Sequence, residues 1–94
     1  MTIAFSMIVP AFNEAHFLPV CLASLKAALH EQNSTGEIIV VNNNSSDETR
    51  DIAIAAGVRV VDESINQISR ARNAGAREAR GEFLFFVDAD TTVD

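Results

Sequence analysis

Apolar residues along the chain alternate between two rhythms, short unbroken runs and stripes at three- and four-residue steps. Ile3 to Val9 is a run that suits a strand buried on both faces. From Glu14 onward, Leu18, Cys21, Leu22, Leu25, Ala28 and Leu29 form a helical stripe, with Pro19 in its first turn, where a missing N–H costs little. Asn33-Ser34-Thr35-Gly36 reads as a loop and Ile38 to Val41 as a second strand. Ser45 and Glu48 have capping-box spacing and predict a helix to about Ala56, closed by Gly57. Val58 to Val61 is a third strand, and Ile68 to Ala79 a third helix closed by Gly81. Glu82 to Val87 is a fourth strand, apolar and aromatic enough to be buried.

The order β-α-β-α-β-α-β predicts a three-layer α/β/α arrangement with a mainly parallel, Rossmann-like sheet, joined by right-handed crossovers. Ligands on such sheets bind beyond the carboxyl ends of the strands. The polar clusters Pro10 to Glu14, Asn42 to Asp47, Asp62-Glu63 and Asp88 to Asp90 all fall there.

Composition narrows the function. The chain has 94 residues, 48% of them hydrophobic, enough for one small domain. Its net charge of −6 disfavours nucleic acid and anionic membranes as partners. Arg70, Arg72, Arg77 and Arg80 nevertheless gather in one stretch, a local site for a small anion. The single cysteine, Cys21, reads as a buried thiol in a reducing compartment. The first run, Ile3 to Val9, has no basic flank and does not read as a signal peptide, and no run approaches the roughly 20 residues of a membrane span, so the expected location is the cytoplasm.

Candidate chemistry centres on Asp88-Ala89-Asp90. Residues two apart on a strand share a face, so both carboxylates converge on one ligand. Such a pair suits a divalent cation that stays open to phosphates. Six Asp in the chain make the tripeptide easy to obtain by chance, and its place at a strand end is what gives it weight. In the loop after the first strand, Phe12 has two readings, a core aromatic or a platform for a nucleobase. Asn13 is either a helix N-cap or, with Glu14, a contact to base or ribose. Asn42-Asn43-Asn44 suits a turn, yet its amides also offer donors and acceptors that read a pyrimidine edge. Arg70 and Arg72 lie on different helix faces, so at most one reaches the site. Gly75 within a helical pattern points to close packing. There is no dinucleotide fingerprint, P-loop or nucleophile elbow, and His16 and His30 lack the partners a zinc site needs.

Four segments together, Ser6 to Glu14, Glu37 to Asp47, Ala71 to Gly75 and Gly81 to Asp90, resemble the N-terminal nucleotide-binding half of family 2 glycosyltransferases, inverting enzymes of the GT-A fold. The resemblance implies a UDP- or GDP-sugar donor and Mg²⁺ or Mn²⁺. It implies that Pro10, Phe12 and Glu14 line the nucleoside pocket, with Asn13, Ser45 and Asp47 among the nucleotide-sugar contacts. Asn42 and Asn43 stand where the family usually carries acidic residues that contact the base. Arg72 and Asn73 fall near the donor, and Asp88 and Asp90 at the metal-binding pair, Asp88 also touching the donor.

The family's acceptor region and general base lie beyond the acidic pair. The expectation is therefore a donor-binding part, residues 1–94, of a longer transferase, with its catalytic base beyond Asp94 and its acceptor unknown. An incomplete sheet would also favour self-association. Two other readings compete. One is a non-catalytic nucleotide-binding module. The other is a nucleotidyltransferase, which expects a Gly- and basic-rich loop where Ala11-Phe12-Asn13-Glu14 stands.

Overall fold

The computed structural model describes residues 2–31 and 35–90. Seven elements follow the expected order: β1 (Ile3–Ala11), α1 (Leu18–Glu31), β2 (Gly36–Asn42), α2 (Thr49–Ala55), β3 (Arg59–Asp62), α3 (Ile68–Glu78) and β4 (Gly81–Phe86). Asn33 and Ser34 of the expected first loop lie outside the described residues. All strand pairs are parallel, in the order β3-β2-β1-β4. The sheet is an α/β Rossmann-like layer in which the chain leaves β1 on one side and returns on the other.

Alternation along the strands divides the core in two. Val9, Ala11, Ile38 and Val40 face α1 and α2, packing on Leu18, Cys21, Leu22, Leu25 and Ala53. Ile8, Ile39 and Val41 face α3, which meets them with Ala71 and Ala74. Small residues let α3 sit close: a Cβ placed on Gly75 would lie 2.4 Å from Ile8 Cγ2 and 3.0 Å from Val41 Cγ2. Pro10 stands in β1 with its missing N–H on the β4 side, beyond the last β1–β4 partner pair, Ile8 and Phe86, so the ladder loses little there.

Three expectations need correction. The second helix carries no Ser45–Glu48 capping box; Glu48 is its N-cap and makes no side-chain cap bond. Asp47 acts instead, its Oδ1 accepting the Thr49 N–H at 2.9 Å. Gly81 does not close α3, which ends in extended Ala79; Gly81 opens β4, where a Cβ would lie 2.5 Å from the Phe5 backbone. Nor is β4 buried. Among the described residues β1 is its one strand neighbour, and Phe83 is 63% exposed and Phe85 53%. Phe5 meets Phe85 edge-on at 5.8 Å between ring centroids.

At the end of the sheet away from the expected site, Glu37 joins four elements. Its Oε2 accepts from Ser6 Oγ (2.7 Å) and the Arg80 backbone N–H (2.7 Å), and its Oε1 from the Arg59 guanidinium (2.8 Å). Arg59 also donates to the Glu78 carbonyl (2.8 Å), and the Gly81 N–H to Ser6 Oγ (2.9 Å). Burial alone would raise the Glu37 pKa. The bonds from Ser6, Arg59 and Arg80, with the Arg59 charge, outweigh it and leave the pKa lowered.

Candidate functional site

The return crossover from β3 to β4 places β4 beside β1, so the strand order switches direction between them. Open α/β sheets form a crevice at that point, beyond the strand ends. Here it is a cavity of about 320 Å³. The β1 side contributes Pro10, Phe12 and Glu14; the β4 side, Asp88 and Asp90; Asn43 enters from the end of β2. Asn66 and Ile68, at the entry to α3, add to the wall.

Asp88 and Asp90 reach the cavity differently from a strand pleat. β4 ends at Phe86, and Ala89-Asp90 form a turn. Ala89 is buried in the core with Val9 and Cys21, while both neighbouring carboxylates are exposed. Cys21 Sγ lies 3.8 Å from the Asp88 carbonyl. Burial, then the charges of Asp90 and Glu14, pushes its thiol pKa up.

Glu14 is half-buried. Its pKa is raised, first by burial and then by the charges of Asp90, Asp47 and Asp88. Its carbonyl accepts the Leu18 N–H at 2.9 Å, starting α1, and its own N–H donates to Thr49 Oγ1 at 2.9 Å. Thr49 is fully buried, and its hydroxyl also donates to Asp47 Oδ1. Asp47 Oδ2 accepts the Ala15 N–H at 3.2 Å. These bonds, the Thr49 hydroxyl's first, hold the Asp47 pKa below the usual range.

Asn13 is no helix cap. It adopts a left-handed backbone, φ 51°, and its Oδ1 accepts the Ser46 N–H (2.8 Å) and the Asp47 N–H (3.3 Å). Its own N–H donates to Ser45 Oγ at 3.0 Å. Asn13, Ser45, Asp47 and Thr49 thus clip the loop after β1 to the loop after β2.

The three asparagines diverge. Asn42 Nδ2 donates to Asp62 Oδ1 (3.0 Å) and its Oδ1 accepts the Ser45 N–H (3.2 Å). Asn42, Asn44 and Ser45 line a second cavity with Asp62 and Glu63 rather than the first. Asn43 alone reaches the β1–β4 crevice. Arg72 is exposed, its guanidinium 5.7 Å from the Phe86 ring centroid, near the strand end that leads to Asp88. Asn73 is exposed beside it and lines neither cavity.

Asn66, Ile68 and Thr49 were not singled out from the sequence. The position of the β3–α3 loop at the carboxyl end of the sheet was the available signal for the first two. Thr49 had none, because one threonine at a helix start is ordinary. Among the described residues, no helix is long and apolar enough to cross a membrane.

Comparison with known proteins agrees with this architecture. The uncharacterized glycosyltransferase EpsJ of Bacillus subtilis is 38% identical over 93 residues, covering 94% of this chain and 26% of EpsJ. The crystal structure of S. aureus TarS 1-349 in complex with UDP-GlcNAc superposes with a TM-score of 0.79 at 29% identity, over 94% of this chain and 27% of that one. Mannosyl-3-phosphoglycerate synthase from Rubrobacter xylanophilus shares the fold at a TM-score of 0.86 and 21% identity, over 98% of this chain and 32% of that one. The chain spans about a quarter of the length of EpsJ and of EpsH, another B. subtilis relative. The sheet is that of GT-A glycosyltransferase domains. The family model of glycosyl transferase family 2 matches residues 6–94, and the chain belongs to that family.

Proposed function

We propose that residues 1–94 supply the donor-binding part of an inverting glycosyltransferase, whose donor is a nucleotide-diphosphate sugar of the UDP or GDP class. One observation carries this reading: Pro10, Phe12 and Glu14, Asn43, and Asp88 with Asp90 converge on a single cavity at the switch point of the sheet. The TarS structures with UDP and with UDP-GlcNAc, at 29% identity, support the uridine form. Phe12 and Ile68, both partly exposed, form apolar surfaces against which a base can stack. Arg72, stacked on Phe86, supplies positive charge near the diphosphate, and Asn73 stands beside it. The clip of Asn13, Ser45, Asp47 and Thr49 orients the loop that carries Phe12 and Glu14.

Mg²⁺ or Mn²⁺ fits the chain's own donors. Asp88 and Asp90 put two hard carboxylates on one wall, and among the described residues no three His, Cys, Asp or Glu side chains are grouped to hold an ion by themselves. Two carboxylates, with the other positions left to water and phosphate oxygens, is an arrangement these ions favour. The bound ion supplies Lewis-acid stabilisation of the charge on the departing diphosphate. The general base is assigned to none of the described residues. The exposed apolar edge of β4 also leads us to infer that the chain self-associates when nothing else covers it.

Isothermal titration with UDP-GlcNAc and Mn²⁺ tests the donor reading. Binding is expected for the protein and its loss for the Asp88→Ala, Asp90→Ala double variant. Equal affinity in the two proteins would contradict it.

A further inference from the structure

The acidic pair stands on an apolar footing. β4 ends at Phe86, yet the alternation of exposed and buried positions continues through Asp90. Val87 is half-buried against the core cluster and Asp88 is exposed; Ala89 is 4% exposed within that cluster and Asp90 is exposed again. The Val87 N–H donates to the Ile8 carbonyl at 2.9 Å, holding the chain to β1 just before the pair. Past that bond, the Ala89 methyl enters the core beside Val9, Leu18 and Cys21, which are themselves fully buried. The Cys21 thiol, a weak donor, lies 3.8 Å from the Asp88 carbonyl.

The carboxylates have no comparable hold of their own. Among the described residues, neither Asp88 nor Asp90 accepts a side-chain hydrogen bond or joins an ion pair. An Asp carboxylate is separated from its backbone by one carbon, so it copies any displacement of the chain beneath it. The direction of the pair is therefore set by the backbone between them, and that backbone is fixed by the residue in the middle.

Resting on the donor and metal reading above, we infer that Ala89 is a positioning residue for the cation, its buried methyl setting the separation and direction of Asp88 and Asp90. The place it fills makes two demands. A side chain must be present, because glycine would lose the core contact and gain backbone freedom. The side chain must also be small, because a close-packed interior accepts added methylenes only by shifting the backbone, here by lifting the turn. Both changes move the carboxylates without altering them. Residues that orient metal ligands from behind are worth on the order of 10- to 100-fold in metal affinity. The nucleoside part of the cavity is held independently. Phe12 follows β1, and Asn43 is fixed by its own bonds to the Glu63 and Ile65 carbonyls, at 3.1 and 2.7 Å.

The test titrates Mn²⁺ into the protein saturated with UDP, reading the free ion by electron paramagnetic resonance, and titrates UDP separately without metal. Wild type is compared with Ala89→Gly, Ala89→Leu and Ala53→Gly. The last removes the same methyl from the same core cluster, but on α2, which packs over β2 and β3. Mn²⁺ affinity is expected to fall at least about 10-fold in both Ala89 variants. It is expected to change less than about 2-fold in Ala53→Gly, as is the metal-free UDP affinity of every variant. Wild-type Mn²⁺ affinity in either Ala89 variant overturns the inference and leaves the metal reading intact. An equal fall in Ala53→Gly, or a loss of metal-free UDP affinity as large as the loss for Mn²⁺, reveals a general loosening of the fold and also overturns it. If Ala89→Leu does not fold, Ala89→Gly decides. Failure of the wild type to bind Mn²⁺ in the presence of UDP overturns the metal reading itself, and this inference with it.

Discussion

Replacing Gly75 by alanine sets two effects of opposite sign against each other. In an exposed helix the change stabilises by about 1 kcal/mol, because alanine costs less backbone entropy. Within α3 the new methyl would lie 2.4 Å from Ile8 Cγ2 and 3.0 Å from Val41 Cγ2. Both neighbours are fully buried and branched at Cβ, so neither can swing aside as a flexible side-chain end would. Relief requires α3 to lift from the sheet, loosening the contacts of Ala71 and Ala74 on Ile8, Ile39 and Val41. Overpacking of this kind costs about 1–3 kcal/mol, and a contact so far inside van der Waals distance belongs at the upper end. The net expectation is a loss of about 1–2 kcal/mol, read as a fall in the melting temperature of roughly 5–15 °C for a domain of this size. Urea unfolding followed by circular dichroism measures it. Gly57→Ala is the control, since no atom lies within 4 Å of its added Cβ and only its positive φ of 77° resists the change. Equal or greater stability of Gly75→Ala would refute the close approach of α3 to β1 and β2.

Three further outcomes follow from the geometry. Glu37→Gln removes a half-buried, charge-assisted junction and is expected to cost about 1.5–3 kcal/mol near neutral pH. Because the folded pKa of Glu37 is lowered, its contribution is present above the unfolded value of about 4.3 and is lost as pH falls through the folded value. Urea midpoints of wild type and variant are therefore expected to converge in acid; a constant gap would contradict the charged role. Thr49→Val keeps the shape but leaves the Glu14 N–H without its hydroxyl partner, for a loss of about 1–3 kcal/mol and weaker UDP binding. An unchanged unfolding midpoint would exclude the clip between the two loops. Phe85→Lys on β4 is expected to reduce concentration-dependent association in sedimentation velocity, and unaltered association would place the contact elsewhere.

Much of this fold could be read from the chain because local pattern and tertiary role agree. Val9, Val40 and their neighbours alternate between two helix layers, and uninterrupted apolar runs are what such strands require. Gly75 announced its close packing by being an unfavourable helix residue. Burial of β4 could not be read, since an aromatic run looks the same at an edge as in the centre of a sheet. The false capping box at Ser45 and Glu48 arose because Asp47, one place earlier than Glu48, caps through its own side chain. At the site, Pro10 to Glu14 and Asp88 to Asp90 were legible from their positions after strands. The separate fates of Asn42, Asn43 and Asn44 were not, because they depend on carbonyls and carboxylates at Asp62 to Ile65, some twenty residues further along.

The central claim is that the nucleotide lies in the crevice between the ends of β1 and β4. Backbone ¹H–¹⁵N spectra of the protein titrated with UDP and Mg²⁺ test it most directly. The largest shifts are predicted at Ala11 to Glu14, Asn43, Asn66 to Ile68 and Asp88 to Asp90, with Arg59, Glu78 and Arg80 at the far end of the sheet unmoved. Saturable shifts confined to that far end, or none at any residue, would contradict it.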